Sequence, residues 1–245
     1  MSGSSVDLLD SFYAGSLGCS PNDLNAHGPT VVESDVGSIR FAKGSPLALY
    51  ALAKPGGAAI AVRAGLGTVV KEAVRGAVVL DEPACEAIES AVSQQVDVGF
   101  WFRGVRLFCD SDSFRACAAA GVREILPHED ERALLLQRRW GGKVFGRLVD
   151  GRVVSWAAIK PLSDVVWDLS IETLPGHRGS GYARSAVSAA LEHIFANGRL
   201  AGWGCDRDGL ASLRTAESVG FRPYALDFGC VEAARRDIIC TMQDE

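Results

Sequence analysis

Six residues, Arg178 to Ala183 (RGSGYA), constrain the fold more than any other stretch, because they join a strand pattern to a helix pattern. Upstream, VVWDLSIETL (Val165 to Leu174) places Trp167, Leu169 and Ile171 at alternate positions, the period of a half-buried strand. Downstream, Ala183, Val187, Ala190, Leu191, Ile194 and Phe195 recur at helical spacing until Asn197-Gly198, a helix stop signal. Gly179 and Gly181 carry no β-carbon, so an anion can approach the backbone while the first N–H groups of the helix point at it. A pyrophosphate suits such a junction. The G-x-G-x-x-G spacing is absent, which argues against a dinucleotide-binding fold.

Composition removes several other classes. At 245 residues, 48% hydrophobic and 22% charged, the chain can bury one large core or two small ones. Its formal net charge is -5, and its longest basic clusters are the pairs Arg138-Arg139 and Arg235-Arg236, so nucleic acid is not an expected partner. The most apolar stretch, Pro46 to Val62, is broken by Lys54, Pro55 and two glycines, short of the ~20 apolar residues of a membrane span. The polar amino terminus lacks a basic segment before an apolar one, so no signal peptide is expected. Seven cysteines at irregular spacing without a CxxC pair point to a reduced, cytoplasmic compartment. Four histidines, none at ligand spacing to another, give no basis for a metal site.

Along the chain, VDLLDSFYAG offers a short helix in an otherwise Ser-, Gly- and Asn-rich start. Strands are expected around Ser38 to Ala42, Leu47 to Leu52 and Ala58 to Val62, with KPGG turning between the last two. DEPACEAIESAVSQQ predicts a helix over Pro83 to Gln95, Val96 to Phe108 reads as a strand, and Ser113 to Ala120 as a short helix. VREIL and the segment Glu129 to Trp140 follow as strand and helix. KVFGRLVDGRVVSWAAI is a hairpin, with Asp150-Gly151 suited to a tight turn of positive φ.

TLPGHRGSGYA (Thr173 to Ala183), followed by a helix, the short strand LAGWGC, a second helix and Gly220-Phe221, resembles the GNAT superfamily of acyl-CoA-dependent N-acetyltransferases. The superfamily signature of Arg or Gln, two residues, Gly, one residue, then Gly or Ala is met by Arg178, Gly181 and Ala183. The resemblance covers roughly residues 123 to 228 and is similar to a bacterial, poorly characterised branch. It implies an α/β (α+β) fold with a mixed central sheet flanked by helices. Residues 123 to 245 would form the acetyltransferase core. The stretch between the first two core strands is too short for a complete GNAT core, so residues 1 to 122 are expected to form an α/β lobe packed on it. That lobe is either a degenerate second GNAT-like half or a lid.

The resemblance also implies the chemistry. Acetyl-CoA is the co-substrate, with no metal. Its pantetheine arm would bond to Ile171, Glu172 and Thr173, where strand 165 to 174 splays from strand Leu200 to Cys205. Its pyrophosphate would lie on Arg178, Gly179, Ser180, Gly181, Tyr182 and Ala183. The acceptor, a primary amine of a small molecule, amino acid or peptide, must lose a proton before attack, so Glu172 is the candidate base and Asp168 its reserve. The Asn and Tyr that many members carry in the second helix are replaced by Gly209 and Ala216. Ser212, Cys205 and Asp206 are then the candidates near the thioester, unless the thiolate, with a pKa of about 8.5, leaves unaided. The aromatic and basic run Phe100, Trp101, Phe102, Arg103 and Arg106 either lines a pocket or alternates between core and solvent. A CoA-binding sensor or scaffold without turnover is the alternative function.

Overall fold

A computed structural model describes residues 4–39, 46–117 and 121–233 of the chain. In chain order the elements are α1 (Ser5–Leu17), α2 (Pro21–Leu24), β1 (Pro29–Glu33), β2 (Leu47–Lys54), β3 (Gly57–Val62), α3 (Gly67–Ala73), α4 (Glu82–Ser93), β4 (Val98–Cys109), β5 (Val122–Glu124), α5 (Glu131–Trp140), β6 (Val144–Val149), β7 (Arg152–Pro161), β8 (Val166–Thr173), α6 (Tyr182–Ala196), β9 (Leu200–Asp206), α7 (Leu210–Ser218) and β10 (Arg222–Glu232). Mixed sheets flanked by helices make this the α/β architecture that the sequence implied. The expected strand around Ser38 to Ala42 lies largely outside the described residues, as does the end of the expected helix Ser113 to Ala120. Residues 113–117 are not helical: the Asp110 carboxylate accepts the Ser113 N–H at 2.9 Å, so a side-chain-closed turn takes the place of a first helical turn.

The chain divides into two compact units, Met1–Leu8 with Val105–Tyr224 and Leu9–Gly104 with Ala225–Glu245. In the first, the strand order is β9-β8-β7-β6-β5, with β8 and β9 parallel and the other pairs antiparallel. The carboxy-terminal part of β4 lies on the far side of β9. The β6–β7 hairpin turns through Asp150 and Gly151, at φ 49° and 77°, as its Asp-Gly sequence requires. α6 buries Ala186, Val187, Ala190, Leu191 and Ile194 against Leu107, Ile159, Leu169, Trp203 and Phe221. A smaller cluster, Ile125, Ala133, Leu136, Val144, Trp156 and Ala158, sits under α5. Asp130 caps α5 by accepting the Ala133 N–H at 2.8 Å, and the same Oδ1 accepts Trp156 Nε1–H at 2.9 Å, which pins the first turn of α5 to β7.

In the second unit β1, β3, β2 and β10 follow one another, with β1 parallel to β3 and the other pairs antiparallel. Ile60, Leu49, Val70, Ile88 and Phe228 belong to its core. Asp81 caps α4 through the Ala84 N–H at 3.1 Å. The loop before α3 is closed by Glu33, whose Oε1 accepts the N–H groups of Gly65 at 3.2 Å and Gly67 at 2.9 Å.

Candidate functional site

The site begins where two parallel strands part. β8 and β9 pair from Val166 with Leu200 to Asp168 with Gly202, and no further. β8 nevertheless runs on to Thr173 and β9 to Asp206, so their last residues diverge and leave strand edges unpaired toward each other. The other edge of β8 stays paired with β7 through Ser155 and Thr173. There the Ser155 hydroxyl donates to the Glu172 carbonyl at 3.0 Å and lies 2.8 Å from the Thr173 hydroxyl, tying the end of β8 to β7.

Beyond β8 a short 3₁₀ turn, Pro175–His177, leads into the glycine turn. Arg178 Nε donates back to the Thr173 carbonyl at 3.3 Å. Gly181 is the N-cap of α6 at φ 76°, with no side chain bonded to the helix start. Gly179 also has positive φ, at 79°, and a β-carbon built on either glycine meets no protein atom within 4 Å. The two glycines thus face open space at the start of a fifteen-residue helix that no side chain caps.

A cavity of about 1070 Å³ connects these features. Of the residues expected from the sequence, Ile171, Glu172, Thr173, Arg178, Gly179, Gly181, Tyr182, Ala183 and Ser212 line it. Ser180 and Cys205 are not among its lining residues; Ser180 is exposed in the turn and Cys205 is partly buried near the end of β9. Asp168 is also outside it. It is buried at the last position where β8 pairs with β9, accepting the Leu169 N–H at 2.6 Å and facing Arg106 at 3.6 Å.

Two side chains the sequence reading did not single out change the picture. Arg132, on the first turn of α5, grips Glu172 with both ends of one guanidinium edge: Nε to Oε2 at 2.5 Å and Nη2 to Oε1 at 2.6 Å. The hydrogen bonds that Arg132 donates to Glu172, together with the carboxylate charge, raise the Arg132 pKa above its usual value. Trp203 on β9 donates its Nε1–H to Ser212 Oγ at 3.0 Å. Thr215 and Ser218, the other hydroxyls of α7 on the cavity, donate their protons to the carbonyls of Ala211 at 2.8 Å and Thr215 at 2.7 Å. Ala216 is fully buried in the core and Gly209 is the α7 N-cap. No sequence signal exposed the Arg132 pairing, since forty positions separate it from Glu172. Trp203 could have been suspected from its alternation with Ala201 and Cys205 on one strand.

The aromatic and basic run from Phe100 to Arg106 lies outside this cavity. Trp101 stacks on Phe228 at 5.1 Å, Arg103 pairs with Glu82 and Glu89, and Phe102 packs over Gly229, so this run does not line the cavity. His193 lies between Phe145 and Trp167, at 5.7 and 6.1 Å, and burial lowers its pKa. His177 lines the cavity beside Tyr182, their rings 6.0 Å apart. Among the described residues no group of three or more His, Cys, Asp or Glu is placed to hold a metal ion, and no helix is long and apolar enough to cross a membrane.

An uncapped helix start behind two positive-φ glycines thus stands beside two parallel strands that stop pairing after Asp168 and Gly202. Residues 111–221 match the acetyltransferase (GNAT) family model, and this segment of the chain belongs to that family, whose chemistry is acyl transfer from acyl-CoA. No curated protein matches the sequence. Among solved structures, a GCN5-related N-acetyltransferase from Kribbella flavida is 20% identical, over 60% of this chain and 64% of its own, at a TM-score of 0.48. A Drosophila protein aligns over 94% of this chain and 97% of its own at 14% identity and a TM-score of 0.49. A Salmonella typhimurium protein solved with its cofactor acetyl-CoA is 21% identical over 43% of this chain and 70% of its own, at a TM-score of 0.33.

Proposed function

We propose that the protein transfers an acetyl group from acetyl-CoA to the primary amine of a small molecule, amino acid or peptide. The observation that carries this reading is the parting of β8 and β9 after Asp168 and Gly202, directly beside the uncapped start of α6. The residues present fit the co-substrate: open space in front of Gly179 and Gly181 suits a pyrophosphate, and the unpaired end of β8 at Ile171 to Thr173 suits an amide-bearing arm. Arg178 and Arg184, which line the same cavity, add positive charge near the phosphates.

Acetyl-CoA, when bound, supplies an activated thioester carbonyl. The protein then has two proton tasks. Glu172 is the only carboxylate among the described residues lining the cavity, and it receives the ammonium proton of the acceptor, directly or through water. Ser212 serves the leaving sulfur. Because Trp203 Nε1–H occupies a lone pair on Ser212 Oγ, the serine keeps its own proton to donate into the cavity. Ser212 thus replaces the acid that buried Ala216 cannot provide.

Incubation with acetyl-CoA and pooled primary amines, read as release of thiol, tests the proposal: amine-dependent release is expected. A second reading, a CoA-binding sensor or scaffold, is favoured by Ala216 and by the closure of Glu172 under Arg132. It predicts acetyl-CoA binding with no amine-dependent thiol release.

A further inference from the structure

Arg132 and Glu172 form a bidentate pair inside the site, and the acceptor must meet it. Both are partly accessible, their side chains 48% and 33% exposed. Arg132 starts from a fixed place, because Asp130 anchors its helical turn to Ala133 and Trp156. An amine with no other charge offers only an ammonium group, which would have to compete with the guanidinium for Glu172. Arginine, however, carries five N–H donors in a planar fork. The Nε and Nη2 edge faces Glu172, which leaves the Nη1 and Nη2 edge to receive a second carboxylate in the same paired geometry. In an α-amino acid the carboxylate and the ammonium sit on one carbon. A carboxylate docked on that second edge therefore delivers its ammonium to the adjacent Glu172 without breaking the ion pair. The cavity wall agrees in sign: among the described residues Arg132, Arg178, Arg184 and Arg214 line it against one acid, Glu172.

We propose that Arg132 is a specificity residue that selects acceptors bearing a carboxylate next to the amine, so that the substrate class is α-amino acids. This rests on the acetyltransferase reading above.

The test pairs each of a panel of amino acids with its carboxamide, using the full chain and saturating acetyl-CoA. The parental protein should favour amino acids over amides by about tenfold or more in kcat/KM, as a site built around a paired hydrogen bond rejects the analogue that lacks it. Arg132→Gln should erase that preference by raising the KM of the amino acid while leaving the KM of acetyl-CoA unchanged. Arg132→Lys, a point charge without a fork, should restore only part of it. Equal use of amides by the parental protein, or a preference that survives in Arg132→Gln, overturns the proposal and leaves the transferase reading standing. Acceptor binding to the CoA-saturated protein, measured by ligand-detected NMR, separates the two claims. Arg132-dependent binding of amino acids with no thiol release upholds the specificity and sinks the transfer reading, whereas absence of binding as well as turnover sinks both.

Discussion

Trp203 Nε1–H donates to Ser212 Oγ at 3.0 Å, across the gap between β9 and α7. The bond uses a lone pair of the serine and not its proton, so it aims the hydroxyl rather than occupying it. Ser212→Ala should lower kcat by about tenfold or more, within the range of positioned acid catalysis, with acetyl-CoA affinity nearly unchanged. Trp203→Phe keeps a ring against Phe221, 5.2 Å away, and should lower kcat in the same direction but less. The double variant should be no slower than Ser212→Ala, because the indole acts only through the serine. Additive losses in steady-state kinetics would show that Trp203 acts by another route.

Glu172→Gln should reduce turnover by at least about tenfold, since Gln keeps size and hydrogen bonding but cannot take up a proton. Stability should fall by no more than about 1 kcal/mol, because the lost partner Arg132 is half exposed. The turnover defect should shrink as assay pH rises, when more of the acceptor is already deprotonated. Parental rates at pH 7 with a high-pKa amine would place the base elsewhere.

Much of this arrangement could be read from the chain, and the parts that could not have physical reasons. Asp150-Gly151, the strand at Val165 to Leu174, and the helix after Gly181 each carry their own local signal, and all formed as expected. α3 escaped notice because Thr68, Val69 and Val70 favour strands; its start is secured by Glu33, more than thirty residues away. β10 buries both faces over much of its length, so it lacks the alternation that marks a strand. The helix expected at Ser113 gave way to a turn closed by Asp110, a competition local propensity does not decide. Around the site the glycine turn and the start of α6 were legible because they are local backbone geometry. The Arg132 grip on Glu172 was not, because only the packed fold brings α5 over the end of β8.

A boundary at residue 123 leaves out part of the core of the first unit. Leu107 and Cys109, at 1% and 0% exposure, belong to the cluster that α6 buries. A fragment from residue 123 to the end should therefore fail to fold stably, and Leu107→Ala in the full chain should cost about 2–5 kcal/mol. Recovery of a soluble, cooperatively melting 123–245 fragment after limited proteolysis would contradict this.

Burial pushes the thiols of Cys85, Cys109 and Cys230 up from 9.0 to about 11. A raised folded-state pKa means that the folded protein holds the proton more tightly than the unfolded chain. The stability it contributes is complete below pH 9 and is lost as pH rises toward about 11. Denaturant midpoints should accordingly fall across that window, and Cys109→Ala should make the fall shallower. At pH 8 all three thiols should resist alkylation in the native protein and react promptly in urea.

The central claim is that acetyl-CoA lies on the backbone of the turn before α6, and Gly181→Val tests it most directly. The space in front of Gly181 is open to the protein, so a valine there would intrude chiefly on the ligand, although at φ 76° it also strains the turn. Circular dichroism and thermal melting first establish that the variant is folded. Calorimetric titration with acetyl-CoA should then show saturable binding to the parental protein and none to folded Gly181→Val; an unchanged affinity in the folded variant would contradict the account.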